Sequence, residues 1–249
     1  MNSFIIKSLF TGVFVAMAGS ASAQTVFDFA NLTYNNNVSS GFKPSNGVLC
    51  NSGDICSSYG SSPLAGGSLT FQNGGITVDA FASYLGSAFG GSGAAVVQDH
   101  ENGYNGLLSG SNAVGAGLGV YHLPNDTSDD NITSGEVLKL HFNQGVTLSS
   151  IGLRSDGHNT TNWSSGATFQ YSLNNATWTT GLLPASNGQF ALNQTGQDFY
   201  FRVGSGSNDQ FYISSVTAVP EPETYAMMLS GLGLMGFIAR RRKQSASRV

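Results

Sequence analysis

At 249 residues the chain is long enough for one domain with a real core, flanked by short terminal segments. Between Gln24 and Ala218 twelve acidic residues stand against four basic ones, Lys43, Lys139, Arg154 and Arg202, a net charge of −8. Nucleic-acid binding, which needs a basic footprint, is excluded, and an aromatic content of 11% argues against a disordered chain.

At the N-terminus, Lys7 supplies a positive start and Leu9 to Ala18 an apolar run, followed by the small-residue cleavage site Ala21-Ser22-Ala23. Residues 1–23 therefore read as a signal peptide, and the mature chain is expected to begin at Gln24. From 24 to 218, Gly-, Ser-, Asn- and Thr-rich turns separate short runs that carry Phe, Tyr, Val and Leu, the profile of an extracellular all-β domain.

Thr25-Val26-Phe27-Asp28-Phe29 alternates as a first strand, and Asn35 to Gly67 is mostly loop. That loop holds Cys50 and Cys56; in an exported chain a single nearby pair is expected to close a small disulfide loop, and a zinc site lacks further ligands. Ser68 to Phe71, the turn Asn73-Gly74-Gly75 and Ile76 to Leu85 predict a hairpin. Asp99-His100-Glu101 could serve acid–base chemistry, but no partner is visible and a solvated turn is the preferred reading.

After the strand from Gly117 to Leu123, the loop Asn125 to Asn131 concentrates carboxylates, and Glu136 follows at the head of the next strand. Asp126, Asp129, Asp130 and Glu136 form a candidate calcium site, since this ion takes six to eight oxygens in flexible geometry. An EF-hand frame fails, with Asp130 where glycine is required. A calcium-binding loop and a solvated acidic turn both stay open.

Glu136 to Phe142, Asn143-Gln144-Gly145 and Val146 to Leu153 predict a second hairpin. In the polar loop Ser155 to Ser165, Trp163 is either a stacking platform for a sugar ring or a plug for one end of the core. A third hairpin joins Thr168 to Leu173 and Thr177 to Thr180, and Phe190 to Leu192, Phe199 to Val203 and Phe211 to Val219 complete the set. Roughly ten short strands at regular spacing predict an antiparallel, jelly-roll-like β-sandwich. No zinc-protease, P-loop or nucleophile-elbow motif occurs, so the body is read as non-enzymatic.

The chain ends in Val219-Pro220-Glu221-Pro222-Glu223-Thr224, an uncharged apolar run from Tyr225 to Ala239, and Arg240-Arg241-Arg242-Lys243. The prolines predict an extended connector. The apolar run predicts a single, slightly short transmembrane helix over about 224–240, stopped by Arg240, Arg241, Arg242 and Lys243, with residues 240–249 cytoplasmic. Gly231, Gly233 and Gly236 spell G-x-G-x-x-G, but without a preceding strand they are small-residue helix surface.

Motif, span and basic cluster in this order resemble the PEP-CTERM sorting signal of Gram-negative bacteria, with the motif at 219–223 (Val219, Pro220, Glu221, Pro222, Glu223) and the tail at 219–249. The resemblance implies an exosortase partner that cuts near the motif, and a body held at the inner membrane through its C-terminal helix before it passes to the cell surface or extracellular matrix. A second likeness, in Gly117-Leu118-Gly119-Val120, Asp129-Asp130-Asn131-Ile132 and Gly135 to Phe142, resembles a run in the bodies of such proteins and singles out Asp130 and Glu136. The first reading is thus an exported, non-enzymatic surface or matrix protein. Its alternatives are a calcium-dependent carbohydrate-binding β-sandwich, whose partner is an extracellular polysaccharide, and a secreted hydrolase, which needs two carboxylates across a groove.

Overall fold

Alternation of apolar and polar residues drives the longer described segments of the body into extended strands, because a period of two puts every second side chain on one face. The computed structural model describes residues 23–31, 33–35, 38–40, 42–46, 48, 55–57, 67–99, 115–122, 130–160, 163–184, 187–205, 209–221, 229–236 and 238. Its strands are β1 (Thr25–Asp28), β2 (Thr33–Asn35), β3 (Val38–Ser40), β4 (Ile55–Ser57), β5 (Leu69–Asn73), β6 (Ile76–Tyr84), β7 (Ala94–Asp99), β8 (Gly117–His122), β9 (Glu136–Ser155), β10 (Thr168–Ser172), β11 (Thr179–Leu182), β12 (Gln189–Val203) and β13 (Phe211–Pro220).

Among the described residues eleven strands share one sheet, with the path β11-β10-β12-β9-β13-β8-β7-β4; β1 joins β13, and the β5–β6 pair joins β9 through β6. Every pairing is antiparallel. The two short strands β2 and β3 pair separately. The first hairpin is present: Asn73 pairs with Ile76, and Gly74 and Gly75 take φ of 56° and 83°, the double positive φ of a tight two-residue turn.

The 20-residue strand β9 organises the sheet. Its first half pairs with β6, from Val78 opposite Phe142 to Tyr84 opposite Glu136. Its second half pairs with β13, from Pro220 opposite Val146 to Phe211 opposite Ser155. Strand β12 follows β9 along the other side through both halves. The sheet thereby changes partners at mid-strand and packs its own faces together. Phe27 of β1 meets Phe142 of β9 edge-on at 6.3 Å, and Phe29 meets Phe71 of β5 at 4.8 Å. All four rings are fully buried. The core runs on through Leu138, Leu140, Phe199 and Phe201 to Phe169 and Phe211.

The predicted second hairpin is not formed. Asn143 and Gly145 do not take the positive φ of a tight two-residue hairpin turn, and the backbone runs on as β9. The Asn143 side-chain oxygen instead accepts the Thr77 N–H at 2.9 Å. The two late runs, Phe190 to Leu192 and Phe199 to Val203, are likewise one strand, β12, with a register shift between Ala191 and Gln194 where Asn193 takes φ of 49°.

The antiparallel, largely β architecture stands; the expected transmembrane helix over 224–240 does not. No helix among the described residues is long and apolar enough to cross a membrane. The helical stretch at 229–236 rises only about 12 Å at 1.5 Å per residue, against a hydrocarbon core of about 30 Å, and Gly231, Gly233 and Gly236 within it are poor helix formers. With the span go the inner-membrane contact through that helix and the membrane-anchored stage before processing. The signal peptide apart from Ala23, Cys50, and the basic residues Arg240 to Lys243 lie outside the described residues.

Candidate functional site

Strand β13 carries the chain straight into the predicted sorting motif. Ala218 is paired with Leu148, Val219 with Thr147 and Pro220 with Val146 of β9, while on the opposite side β1 reaches β13 only as far as Thr25 opposite Ala218. Pro220 thus lies past the β1 ladder at an edge position, where a residue without an N–H donor fits. It is buried. The Glu221 N–H reaches the Gly145 carbonyl at 3.4 Å. The expected extended connector therefore does not start at the head of the motif: Val219 and Pro220 are the end of a strand. Pro222 and Glu223 lie outside the described residues.

Residues 218–243 match the family model of the PEP-CTERM protein-sorting motif. The chain carries a PEP-CTERM sorting tail. No curated protein sequence matches the chain. The tail supports exosortase-mediated sorting of an exported protein, and its first residues are docked on the body they serve.

The remaining sequence candidates sit apart from this PEP-CTERM tail. Glu136 is fully buried; its Oε2 accepts the Thr133 N–H at 2.7 Å, and its Oε1 lies 3.5 Å from His122 Nδ1, whose ring stacks on Tyr84 at 4.6 Å. Asp130 accepts a hydrogen bond from the Tyr212 hydroxyl. Asp126 and Asp129 lie outside the described residues, among which no three metal-ligating side chains cluster. Trp163 packs partly buried against the core, and its Nε1 is buried without a hydrogen-bond partner among the described residues. Cys56 falls in β4, opposite Gln98.

Asp99 has a distant imidazole partner, His158, while His100 and Glu101 lie outside the described residues. His158 Nε2 lies 3.0 Å from Asp99 Oδ2, which also accepts the Ala116 N–H at 3.2 Å. Asp99 is buried at the end of β7. Nearby Arg154 hydrogen-bonds the Gly115 carbonyl and, at 3.2 Å, Asn31 Oδ1. Burial lowers the Arg154 pKa below the ordinary arginine value, with Asp28 and Asp99 opposing. These contacts tie β7, β8 and the 155–160 turn together.

A further feature, invisible in the sequence, lies on the outer face of the sheet. A groove of about 860 Å³ crosses four strands, floored by Ser83, Val137, Arg202 and Gln170. Ser83 stands opposite Val137, and Gln170 opposite Arg202. The turns at Leu85-Gly86 and Thr133-Ser134-Gly135 form one wall, with Asn175, Asp209 and Gln210 at the far side. The Arg202 guanidinium lies 3.9 Å from the centre of the Trp178 ring, and its Nε donates to Gln170 Oε1 at 2.8 Å. Burial lowers the Arg202 pKa from the ordinary value. Arg202 and Gln170 could not be singled out beforehand, because a cross-strand pair between residues 32 positions apart leaves no local pattern.

Proposed function

We propose that this is an exported, non-enzymatic protein of the cell surface or extracellular matrix, delivered and processed by an exosortase through its PEP-CTERM tail. The observation that carries the reading is the continuity of β13 with the motif: the body's last strand runs unbroken from Phe211 into Pro220. The tail is thus read out at the edge of a finished domain.

The non-enzymatic half is supported by how the carboxylates are used. Asp99 is held by Ala116 and His158, Glu136 by Thr133, Asp130 by Tyr212, and Asp209 by the Ser164 N–H and hydroxyl at 2.6 and 2.7 Å. Each is a structural acceptor that ties a loop to a strand or, for Asp209, to another loop, an arrangement unlike two carboxyl groups poised across a cleft.

Deleting residues 219–249 tests the reading. The truncated chain should still be exported but should disappear from the surface and matrix fraction; retention there at the full level would refute the role of the tail. Hydrolysis of a matrix polysaccharide by the purified chain would refute the non-enzymatic half.

A further inference from the structure

The geometry points to the outer-face groove as a binding site for a carboxylate-bearing sugar unit of an acidic polysaccharide, with Arg202 as its anchor. This goes beyond sorting: it assigns the body a ligand.

Three observations carry it. First, the volume of about 860 Å³ falls within the roughly 300–1,000 Å³ range of ligand sites, and its floor is a cross-strand row on rigid sheet. Second, Arg202 is held in one orientation. The Trp178 ring supports one face of the guanidinium, Gln170 Oε1 accepts from Nε, and the Gln170 amide is itself fixed by donating from Nε2 to Thr180 Oγ1 at 3.2 Å. Among the described residues no hydrogen bond engages the two terminal nitrogens, which form the fork that pairs bidentately with a carboxylate. A guanidinium already immobilised gives up little further side-chain entropy on binding.

Third, the other charged groups bordering the groove are already engaged. Asp209 accepts from Ser164, and Glu136 accepts from Thr133 and faces His122. Arg202 is therefore the charged group in the lining with donors to spare, and it asks for an anion. Thr133, Ser134 and Asn175 offer hydroxyls and an amide of the kind that bind sugar hydroxyls. The polar lining suits a hydrated chain such as a polysaccharide better than an apolar ligand. Gln170 and Trp178 are positioning residues that act through Arg202.

The test is affinity electrophoresis of the purified full chain through gels containing polygalacturonate, with neutral dextran as the control, alongside titration of the chain's tryptophan fluorescence with oligogalacturonate. The chain should be retarded by polygalacturonate and not by dextran, and retardation should weaken as salt rises. Arg202→Gln should weaken binding roughly 10- to 100-fold, the range for a lost charged hydrogen bond, while Arg202→Lys restores part of it and Lys139→Gln leaves it unchanged. The fluorescence change should persist in Trp163→Phe and vanish in Trp178→Phe, which keeps the test decisive should Arg202→Gln fail to fold. Equal retardation by dextran, no retardation at all, or a fluorescence signal that follows Trp163 would overturn the assignment. None of these results bears on sorting by the tail.

Discussion

Thr25 stands directly opposite Ala218 across the β1–β13 ladder. The first strand after the expected signal-peptide cut and the last strand before the sorting motif are therefore one antiparallel pair. The expected start of the mature chain and the start of the sorting motif thus lie side by side on the sheet, with the N-terminal strand flanking the junction.

Phe27 should control that junction. It lies opposite Val216, is fully buried, and touches Phe142, Phe29 and Phe42. Phe27→Ala is expected to cost about 3–5 kcal/mol, the range for truncating a core aromatic. Hydrogen exchange should show the amides of Val216 to Val219 losing protection ahead of those in the first half of β9. Uniform loss across both regions would mean that β1 does not specifically secure the junction.

Glu136 is predicted to act as a staple for the turn before β9. Glu136→Ala leaves the Thr133 N–H without its acceptor and should destabilise the body by roughly 1–3 kcal/mol. Denaturant melts of the two chains measure it. If Glu136 instead serves a calcium ion with Asp126, Asp129 and Asp130, added calcium will raise the melting temperature of the wild type but not of the variant; the present account expects no such rise.

Acid should loosen the outer face through Asp198. Burial alone pushes its carboxyl up, but hydrogen bonds from His141 at 2.7 Å and Lys139 at 3.1 Å, with their charges, outweigh it and hold the pKa below the ordinary 3.8. A depressed folded pKa contributes stability that is present above the unfolded value and lost as pH falls through the folded one. The Asp198→Asn chain should thus be less stable than wild type at pH 7, and the gap should close as acid takes the pH below the ordinary carboxylate value and through the depressed one. Because the group is about one-third exposed, high salt should also shrink the gap.

Gly119 is required by a close approach. A methyl group there would run into the carbonyl of Asp130, where the chain segment before β9 crosses β8. Gly119→Ala should destabilise by about 1–3 kcal/mol through overpacking, with the loss read in the melting temperature.

How much of this was legible in advance follows the range of the interactions. Gly74-Gly75 announces its turn because a two-residue hairpin needs positive φ at both positions, a purely local demand. Asn143-Gln144-Gly145 gives the same local signal, yet there the strand continues, because Thr77 and Glu221, distant in sequence, take up its polar groups. The antiparallel architecture could be read from alternation. The groove could not, since its floor is set by register between β6, β9, β12 and β10. The tail was legible as a motif; what its residues do not spell out is that Val219 and Pro220 belong to a strand, a pairing decided by Thr147 and Val146.

The central claim is that the PEP-CTERM tail routes this body, and it is met most directly by weighing the protein in cell fractions from strains with and without the exosortase. The account predicts a lighter form, lacking the basic C-terminal end, in the surface or matrix fraction of the competent strain, and only the heavier form, absent from that fraction, in the deficient one. The same mass in the same fraction of both strains would contradict it.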